Sequence, residues 1–293
     1  MSSYSREHQL VDIPKILVVS DLDGTLLKSN NTISQSTIDV IKKFTDRGNI
    51  FCIATGRPKR AAIKYYEQLK LNSLLINYNG SYITNPSNPK FTPLNLGFSN
   101  DILRKIMNNK NILKHVNNIL VENTEGDFIW KKPKSEKERF ALFNHFHITS
   151  KSDKYSYIKP KLANITADVH SILLHIKSDK YIDDLSYEIK SIANTLIVRH
   201  WNVIGLGTII EINSVFSSKG MALKYLSSYY GIPLENCLAF GDGDNDAEML
   251  RTAFFGFAMK NGTTTAKLSA RYMTQQTNNE DGVAIELRKF FNL

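Results

Sequence analysis

Short apolar runs alternate with amphipathic stretches over the first 80 residues of the chain and again after residue 213. Apolar runs of four or five residues that end in polar turns are typical of parallel strands buried on both faces. Apolar residues spaced three and four positions apart predict helices between these strands. The predicted strands are 16–19, 50–54, 74–76, 82–83, 237–240 and 255–259, and the predicted helices are 34–47, one opening at Pro58, 219–230, 247–252 and one ending at Leu293. This alternation predicts an α/β fold with a mainly parallel sheet.

The pattern changes between about residue 85 and about residue 212, where Asn and Lys become frequent and strands and helices alternate less regularly. In this region the sequence predicts strands at 171–176, 195–199 and 208–212 and a helix near 183–193. We therefore predict two domains, a discontinuous core formed by residues 1–84 and 213–293 and an α+β insertion formed by residues 85–212.

The composition is that of an ordinary globular protein, with 42% hydrophobic and 22% charged residues among 293. No apolar run approaches the roughly 18 residues of a membrane span, and the first fifteen residues lack the apolar centre of a signal peptide. The two cysteines, Cys52 and Cys237, lie next to apolar runs and are expected in the core of a protein kept in a reducing compartment. We therefore expect a cytoplasmic protein.

The formal net charge of +9 is compatible with nucleic acid, an anionic membrane or an anionic small molecule as the partner. Much of the excess lies in residues 101–160, and its densest part, 131–139, mixes both signs of charge. Mixed charges are typical of a solvated face, and no nucleic-acid motif or zinc-ligand spacing accompanies them. The charge therefore favours an anionic small molecule.

The first predicted strand ends in two carboxylates, Asp21 and Asp23, followed by Gly24, which allows a sharp turn. In an open α/β sheet, ligands bind beyond the carboxyl ends of the strands. Two carboxylates this close repel each other, so a divalent cation or a shared proton must compensate them. A polar turn with two solvated aspartates is the simpler alternative. An EF-hand calcium loop is excluded, because its sixth and twelfth positions lack the required Gly and Glu.

Further polar residues at predicted strand ends or at a helix start are Thr55, Gly56, Lys219, Asp242, Asn245 and Asp246. Taken alone, each segment has an ordinary explanation as a turn, a solvated lysine or an acidic loop. If the strands are parallel neighbours, however, all of these side chains open onto one edge of the sheet. Carboxylates are ligands that Mg²⁺ prefers, and a lysine, a hydroxyl, an amide and backbone N–H groups bind phosphate.

Six stretches form an ordered pattern: Asp-Leu-Asp-Gly-Thr-Leu-Leu (21–27), Ala-Thr-Gly-Arg (54–57), Asn-Gly-Ser (79–81), Ser-Lys-Gly-Met-Ala-Leu (218–223), Ala-Phe-Gly-Asp-Gly-Asp-Asn-Asp-Ala-Glu-Met-Leu (239–250) and Asp-Gly-Val-Ala (281–284). This pattern resembles the haloacid dehalogenase-like hydrolases, specifically the Cof-type phosphatases with a type IIB cap. The resemblance covers both halves of the core, and over residues 85–210 it extends only to length and position. It implies a Rossmann-like α/β core with a central, mainly parallel sheet, plus an inserted α+β cap domain.

The resemblance also implies roles for the acidic residues. Asp21 is implied as the nucleophile that takes the phosphoryl group. Asp23 is implied as the acid/base that protonates the leaving alcohol and then activates water. Mg²⁺ is implied as the cofactor, held by Asp21, the backbone carbonyl of Asp23 and Asp242. Asp246 is implied to support metal-bound water or Lys219 rather than to bind the metal.

The same resemblance implies how the phosphate is bound. Thr55, Gly56 and the backbone N–H of Leu22 are implied to contact the phosphate. Lys219 is implied to neutralise charge on the transferring group, and Asn245 to orient it.

We therefore expect a Mg²⁺-dependent phosphatase that hydrolyses small phosphorylated metabolites, such as sugar phosphates, through an aspartyl-phosphate. The alternatives are a sugar phosphomutase on the same fold, a catalytically silent binding module, and nucleic-acid binding by the basic insertion. The intact pair of Asp21 and Asp23 argues against a silent module. The expected partner is a small phosphorylated metabolite, with no nucleic acid or membrane, and the protein is expected to be a monomer or homodimer. In the cap, His200 and Trp201 are candidates for a pocket lining or for packing.

Overall fold

The structure, a computed structural model, describes residues 15–145, 155–157, 165–203 and 205–293. The polar amino-terminal stretch, on which the expectation of no signal peptide depends, lies outside these residues except for Lys15. Among the described residues, fourteen strands form two sheets. No helix in the described part of the chain is both long enough and apolar enough to span a membrane.

Within the described residues, the first sheet contains β1 (Leu17–Ser20), β2 (Ile50–Ala54), β3 (Leu75–Asn77), β4 (Tyr82–Thr84), β5 (Leu94–Asn95), β12 (Cys237–Gly241), β13 (Phe255–Ala258) and β14 (Tyr272–Met273). The second sheet contains β6 (Val116–Asn123), β7 (Gly126–Ile129), β8 (Tyr155–Tyr157), β9 (Val169–Ile176), β10 (Leu196–Val203) and β11 (Gly207–Ser214). The α-helices are α1 (Gln35–Asp46), α2 (Lys59–Gln68), α3 (Asn100–Asn108), α4 (Lys110–Leu113), α5 (Glu136–His145), α6 (Ile182–Ile192), α7 (Lys219–Tyr230), α8 (Ala247–Thr252), α9 (Thr264–Ser269) and α10 (Gly282–Phe291).

The first sheet has the order β14-β13-β12-β1-β2-β3-β4-β5. Its central strand β1 is buried along its whole length and pairs in parallel on both sides, with Leu17 opposite Cys237 and Ile50. The strands from β14 to β3 are parallel, and only β4 and β5 run antiparallel to their neighbours. The second sheet, in the order β10-β11-β9-β6-β7-β8, is antiparallel except for the pair β7 and β8. The prediction of a mainly parallel α/β core with an α+β cap is confirmed.

Side-chain and backbone caps fix the ends of helix α7, which carries Lys219 at its first position. The hydroxyl of Ser218 accepts a hydrogen bond from the backbone N–H of Met221 at 3.0 Å. Gly231 ends the helix in the left-handed conformation, with φ of 64°. A side-chain cap of this kind stabilises a helix by about 1 kcal/mol. The capped first turn therefore holds Lys219 in a defined position at the end of the sheet.

The second sheet has apolar clusters on both faces. Helices α3 and α6 cover one face with buried side chains such as Leu103 and Ile189. On the other face a smaller cluster includes Leu142 of α5, and Trp201 packs against it. His200 is exposed.

The connection from the first sheet to the second lies later in the chain than the predicted boundary at residue 85. The N–H of Leu96 donates to the carbonyl of Ser81 at 2.8 Å, whereas Phe98 forms an isolated bridge with Val169 of β9. Strand β5 therefore belongs to the first sheet, although it lies within the predicted insertion. We propose that the core ends between Leu96 and Phe98 and resumes after Ser214, the last residue of β11.

A buried histidine joins the two sheets. The Nδ1 atom of His170, in β9, lies 2.7 Å from the hydroxyl of Ser81, next to β4. Its ring stacks on Tyr78 with centroids 4.8 Å apart, and Tyr82 packs at 5.1 Å. Burial lowers the pKa of His170 to about 4, because a second ring proton would place an uncompensated charge in this contact.

We expect His170 to make the folded protein sensitive to acid. Its pKa in the unfolded chain is higher than in the folded chain, so the unfolded state binds the proton first as the pH falls from about 6.5 towards 4. Above about pH 6.5 the titration of His170 hardly changes the free energy of unfolding. By about pH 5 it has lowered the free energy of unfolding by about 2 kcal/mol. Urea unfolding of wild type and His170→Gln, which does not titrate, should show this difference between about pH 7.5 and about pH 5. Equal acid losses in both proteins would contradict the expectation.

Candidate active site

The carboxyl ends of four parallel strands meet at one edge of the first sheet. The chain leaves β1 at Asp21, β2 at Thr55, β3 at Tyr78 and β12 at Asp242. The structure therefore places the polar residues that follow these strands side by side, together with the first turn of α7.

Lys219 lies between two buried carboxylates at this edge. Its Nζ atom donates to Oδ1 of Asp21 and to Oδ1 of Asp246, in both cases at 2.6 Å. The lysine is fully buried. Burial disfavours the ammonium form, but the charges and hydrogen bonds of Asp21 and Asp246 outweigh it and raise the pKa of Lys219 above its ordinary value. Lys219 is therefore a permanent cation among carboxylates.

A carboxylate group beside this lysine has the chemistry of a metal site. Burial raises the pKa of Asp21 well above its ordinary value, opposed by Lys219 and reinforced by Asp246 and Asp242. Burial also raises the pKa of Asp242 to about 6. One oxygen each from Asp21, Asp242 and Asp246 lies within 4.8 Å of the other two. Crowded, desolvated carboxylates are stabilised by a divalent cation, so these residues fit Mg²⁺.

The turn after β1 is packed directly against Asp242. Gly24 has φ of 74°, and a Cβ atom at this position would lie 2.2 Å from Oδ2 of Asp242. Glycine is therefore required both for the backbone conformation and for the close approach. The hydroxyl of Thr25 donates to Oδ1 of Asp242 at 2.7 Å, and its N–H donates to the carbonyl of Leu22 at 3.3 Å. The Leu22 backbone thus lies in the turn that carries both aspartates of the predicted pair.

Asp246 connects Lys219 to the loop after β12. Its Oδ2 atom accepts hydrogen bonds from the N–H groups of Asp242, at 2.9 Å, and Gly243, at 2.8 Å. Its Oδ1 atom accepts from Lys219. The contact with Lys219 is one of the two that the sequence predicts for Asp246.

Asp23 is not part of the carboxylate group formed by Asp21, Asp242 and Asp246, and its partner is Arg57. Arg57 binds it in a bidentate ion pair, with Nε donating to Oδ2 at 2.6 Å and Nη2 donating to Oδ1. The Arg57 side chain is 4% exposed and that of Asp23 is 48% exposed. Arg57 therefore fixes Asp23 at the mouth of the site. That the two aspartates point the same way stays a prediction.

Three of the residues predicted to bind phosphate, Thr55, Gly56 and Asn245, surround Asn79. The N–H of Asn79 donates to the carbonyl of Thr55 at 3.0 Å, and Nδ2 of Asn245 donates to Oδ1 of Asn79 at 2.9 Å. A Cβ atom on Gly56 would lie 3.2 Å from the same Oδ1 atom. The Thr55 hydroxyl accepts from the N–H of Arg57 at 3.1 Å and keeps its own hydrogen for donation.

Sequence reasoning missed three residues at this site: Arg57, Asn79 and Glu211. Arg57 and Asn79 lie within the stretches 54–57 and 79–81, which carried the resemblance without an assigned role. Glu211 lies in β11, and its Oε1 atom accepts from Nδ2 of Asn79 at 3.2 Å. A carboxylate within an apolar strand was the signal that could have identified it.

The sequence profile of the haloacid dehalogenase-like hydrolases matches residues 18–287. The chain is 32% identical over 283 residues to the 5-amino-6-(5-phospho-D-ribitylamino)uracil phosphatase YitU of Bacillus subtilis (strain 168), covering 94% of this chain and 98% of that one. It is also similar to the crystal structure of a haloacid dehalogenase-like hydrolase from Bacteroides thetaiotaomicron, with a TM-score of 0.76, 23% identity and coverage of 94% and 100%. A HAD subclass IIB sugar phosphatase gives a TM-score of 0.72 at 21% identity, with coverage of 95% and 100%.

The profile and the Bacillus relative both extend through the two halves of the core and the inserted sheet. The two solved structures, at 23% and 21% identity, show that the whole fold is shared. The chain therefore belongs to the haloacid dehalogenase-like hydrolases, and it is a phosphatase of their Cof type.

Proposed function

We propose that this phosphatase uses Mg²⁺ to hydrolyse phosphate monoesters of small hydroxylated metabolites through an aspartyl-phosphate on Asp21. The observation that carries the proposal is the buried Lys219 between Asp21 and Asp246, beside the carboxylate of Asp242. An anionic nucleophile reacts with an anionic phosphoryl group only when cations neutralise the repulsion between them. Lys219 supplies one positive charge. The neighbouring carboxylates carry more negative charge than Lys219 balances, which suits a second cation.

The metal would be held by Asp21 and Asp242, with the backbone carbonyl of Asp23 as the further proposed ligand. When bound, Mg²⁺ neutralises negative charge on the phosphoryl oxygens. Both oxygens of Asp246 already accept hydrogen bonds, one from Lys219 and one from the loop after β12. We therefore propose Asp246 as a supporting residue.

The reaction proposed for this geometry has two steps. In the first, an oxygen of Asp21 attacks phosphorus while the bond to the leaving alcohol breaks, and Asp23 gives its proton to that alcohol. In the second, Asp23 takes a proton from water, whose oxygen attacks phosphorus and releases inorganic phosphate from Asp21. Arg57 supports this role by holding Asp23 at the mouth of the site, where both the leaving alcohol and water have access.

The phosphate is proposed to lie between the turn after β1 and the loop after β2. The Thr55 hydroxyl and the backbone N–H groups of Gly56 and Leu22 donate hydrogen bonds to its oxygens. Lys219 neutralises the negative charge of the phosphate. Asn245, in the loop after β12, orients the phosphate.

We propose that the leaving group lies in a cavity at the boundary between core and cap, which Tyr78 also lines. A cavity of about 610 Å³ opens between the start of α2 and the cap turn at 123–126, lined among others by Lys59 and Tyr82. Its size suits a leaving group larger than a simple alcohol. The Bacillus relative is named for a phosphorylated ribitylamino-uracil. We propose that compound and sugar phosphates as the first substrates to examine.

The experiment that tests the proposal is a phosphate-release screen over these compounds and a broad metabolite panel. Turnover of at least one small monoester with release of inorganic phosphate is expected. Isomerisation of a hexose phosphate without phosphate release would replace the proposal by the mutase alternative. If no ester is hydrolysed, the proposal fails.

Removal of the metal is expected to abolish turnover. EDTA should lower the rate at least about a hundredfold, and excess Mg²⁺ should restore it, because charge neutralisation of this kind supplies several kcal/mol. Mg²⁺ should also raise the melting temperature of wild type by about 3 °C, since it binds only the folded chain. Asp242→Asn should lose both responses.

Asp244→Asn is the matched control for Asp242→Asn, because Asp244 is exposed in the same loop and accepts from the hydroxyl of Thr263. That variant should respond to Mg²⁺ as wild type does. A wild-type rate that is the same in EDTA and in Mg²⁺ would rule out the proposed cofactor.

A further inference from the structure

The loop after β3 is held in a strained backbone conformation. Tyr78, Asn79 and Gly80 have positive φ in succession, at 48°, 55° and 103°. Side chains other than glycine adopt this region at a cost of about 1 kcal/mol or more each. A Cβ atom on Gly80 would lie 2.4 Å from the carbonyl oxygen of Ser218, so the loop is pressed against the start of α7. Strain of this kind persists where the surrounding contacts impose it, and it is concentrated at functional sites.

The contacts of Asn79 show what the strained loop places. The residue is 3% exposed, and its backbone N–H is tied to the carbonyl of Thr55. Its carboxamide is used at both ends: Oδ1 accepts from Asn245, and Nδ2 donates to Oε1 of Glu211. The first contact is with the loop after β12 in the core, and the second is with strand β11 of the cap. One side chain therefore connects the two domains through the phosphate site.

Glu211 has a location that packing alone does not explain. It is 7% exposed in β11, on the opposite face of the sheet from the apolar Ile210 and Ile212, and it pairs across the strands with Arg199 of β10. Burial raises the pKa of Glu211, while the charges of Arg199 and Lys219 oppose this. An apolar side chain would avoid the desolvation of a carboxylate at this position. The hydrogen bond from Asn79, which itself accepts from Asn245, places Glu211 beside the candidate active site.

We propose that Asn79 is a positioning residue that transmits the location of the cap to Asn245 through its hydrogen bond with Glu211. The inference rests on the proposed function, because Asn245 matters only if the site binds a phosphoryl group. When β11 lies against the core, Glu211 fixes the carboxamide of Asn79. The Oδ1 atom of Asn79 then holds Asn245 in the orientation that contacts the phosphate. When the cap moves away, Asn79 loses one partner and Asn245 is no longer fixed.

A reciprocal exchange of donor and acceptor tests this arrangement. Asn79→Asp keeps an acceptor for Asn245 but places a carboxylate against Glu211. Glu211→Gln keeps the acceptor for Asn79 in the otherwise unchanged protein. In the double variant, the Gln amide can donate to the Asp carboxylate, so the connection is restored with its polarity reversed. The variant Glu211→Leu removes the acceptor altogether.

The variants are compared by kcat and KM with p-nitrophenyl phosphate and by calorimetric binding of inorganic phosphate in Mg²⁺. We expect Asn79→Asp to lower kcat about tenfold to a hundredfold, the loss typical of misplaced catalytic groups. Glu211→Gln should remain within about threefold of wild type, and the double variant should regain most of the loss. Phosphate affinity should follow the same order.

Glu211→Leu removes the acceptor of Asn79 and leaves Arg199 without the carboxylate opposite it, so we expect it to unfold at a lower urea concentration than wild type. We also expect it to lose about tenfold in kcat when assayed well below its melting temperature, a loss in the folded protein that lower stability alone does not produce. A kcat within threefold of wild type in both Asn79→Asp and Glu211→Leu overturns the inference, as does a double variant no better than Asn79→Asp. If wild type hydrolyses no ester, the proposed function fails. Phosphate binding then decides the inference alone, and equal affinities or no binding by wild type overturn it.

Discussion

Asp21→Asn should abolish phosphate release, with a loss of at least about a thousandfold in kcat, because the amide is nearly isosteric but lacks the anionic oxygen that attacks phosphorus. The fold should persist, since Lys219 keeps its second carboxylate partner, Asp246, at 2.6 Å. Burial raises the pKa of Asp21, so its charge is not what stabilises the folded chain. The measurement is phosphate release with the best substrate of the screen, together with urea unfolding.

Asp46→Asn is the matched control, because Asp46 is the exposed last residue of α1 and pairs only with the exposed Lys42 among the contacts described. It should keep wild-type turnover. If Asp21→Asn releases phosphate at the wild-type rate, Asp21 is not the nucleophile, and the proposed mechanism must be discarded.

Lys219→Met should be damaging in two separate ways. It leaves Asp21 and Asp246 buried together without their cation, and the loss of one partner from a buried ion pair destabilises proteins by about 3 to 5 kcal/mol. It also removes the positive charge that offsets the incoming phosphoryl group, so kcat should fall by about a hundredfold or more. Urea unfolding and phosphate release measure the two losses independently.

The double variant Lys219→Met with Asp246→Asn separates these effects. The Asn side chain still offers an oxygen to the N–H groups of Asp242 and Gly243, and the uncompensated charge of residue 246 is gone. Stability should therefore return while turnover does not. Recovery of turnover in this double variant would show that Lys219 acts only by balancing Asp246.

The fold of the core could be predicted closely because its strands are buried on both faces. The predictions of strand 50–54 and of helices 219–230 and 247–252 match the structure residue for residue. Strand β5 escaped prediction, because its two residues at the sheet edge, the half-buried Leu94 and the exposed Asn95, carry no periodic pattern.

The candidate site could be predicted as far as its residues follow strand ends. The structure brings Asp21, Thr55, Lys219 and Asp242 to one edge, as the topology of parallel strands requires. The ion pair of Asp23 could not be predicted, because its partner Arg57 lies 34 positions away in sequence. Glu211 depends in the same way on how the cap sheet sits on the core, which no local pattern encodes.

The pairing of β1 with both β2 and β12 governs the order in which the chain can assemble. Because β2 is synthesised soon after β1 and β12 far later, one edge of the central strand stays uncovered while the whole insertion is being made. The cation for Asp21 also arrives late, since Lys219 lies 198 residues further along the chain. The candidate catalytic centre is thus completed only after α7 and the loop after β12 have left the ribosome. A nascent chain that stops before α7 carries its nucleophile without the charge that makes it usable.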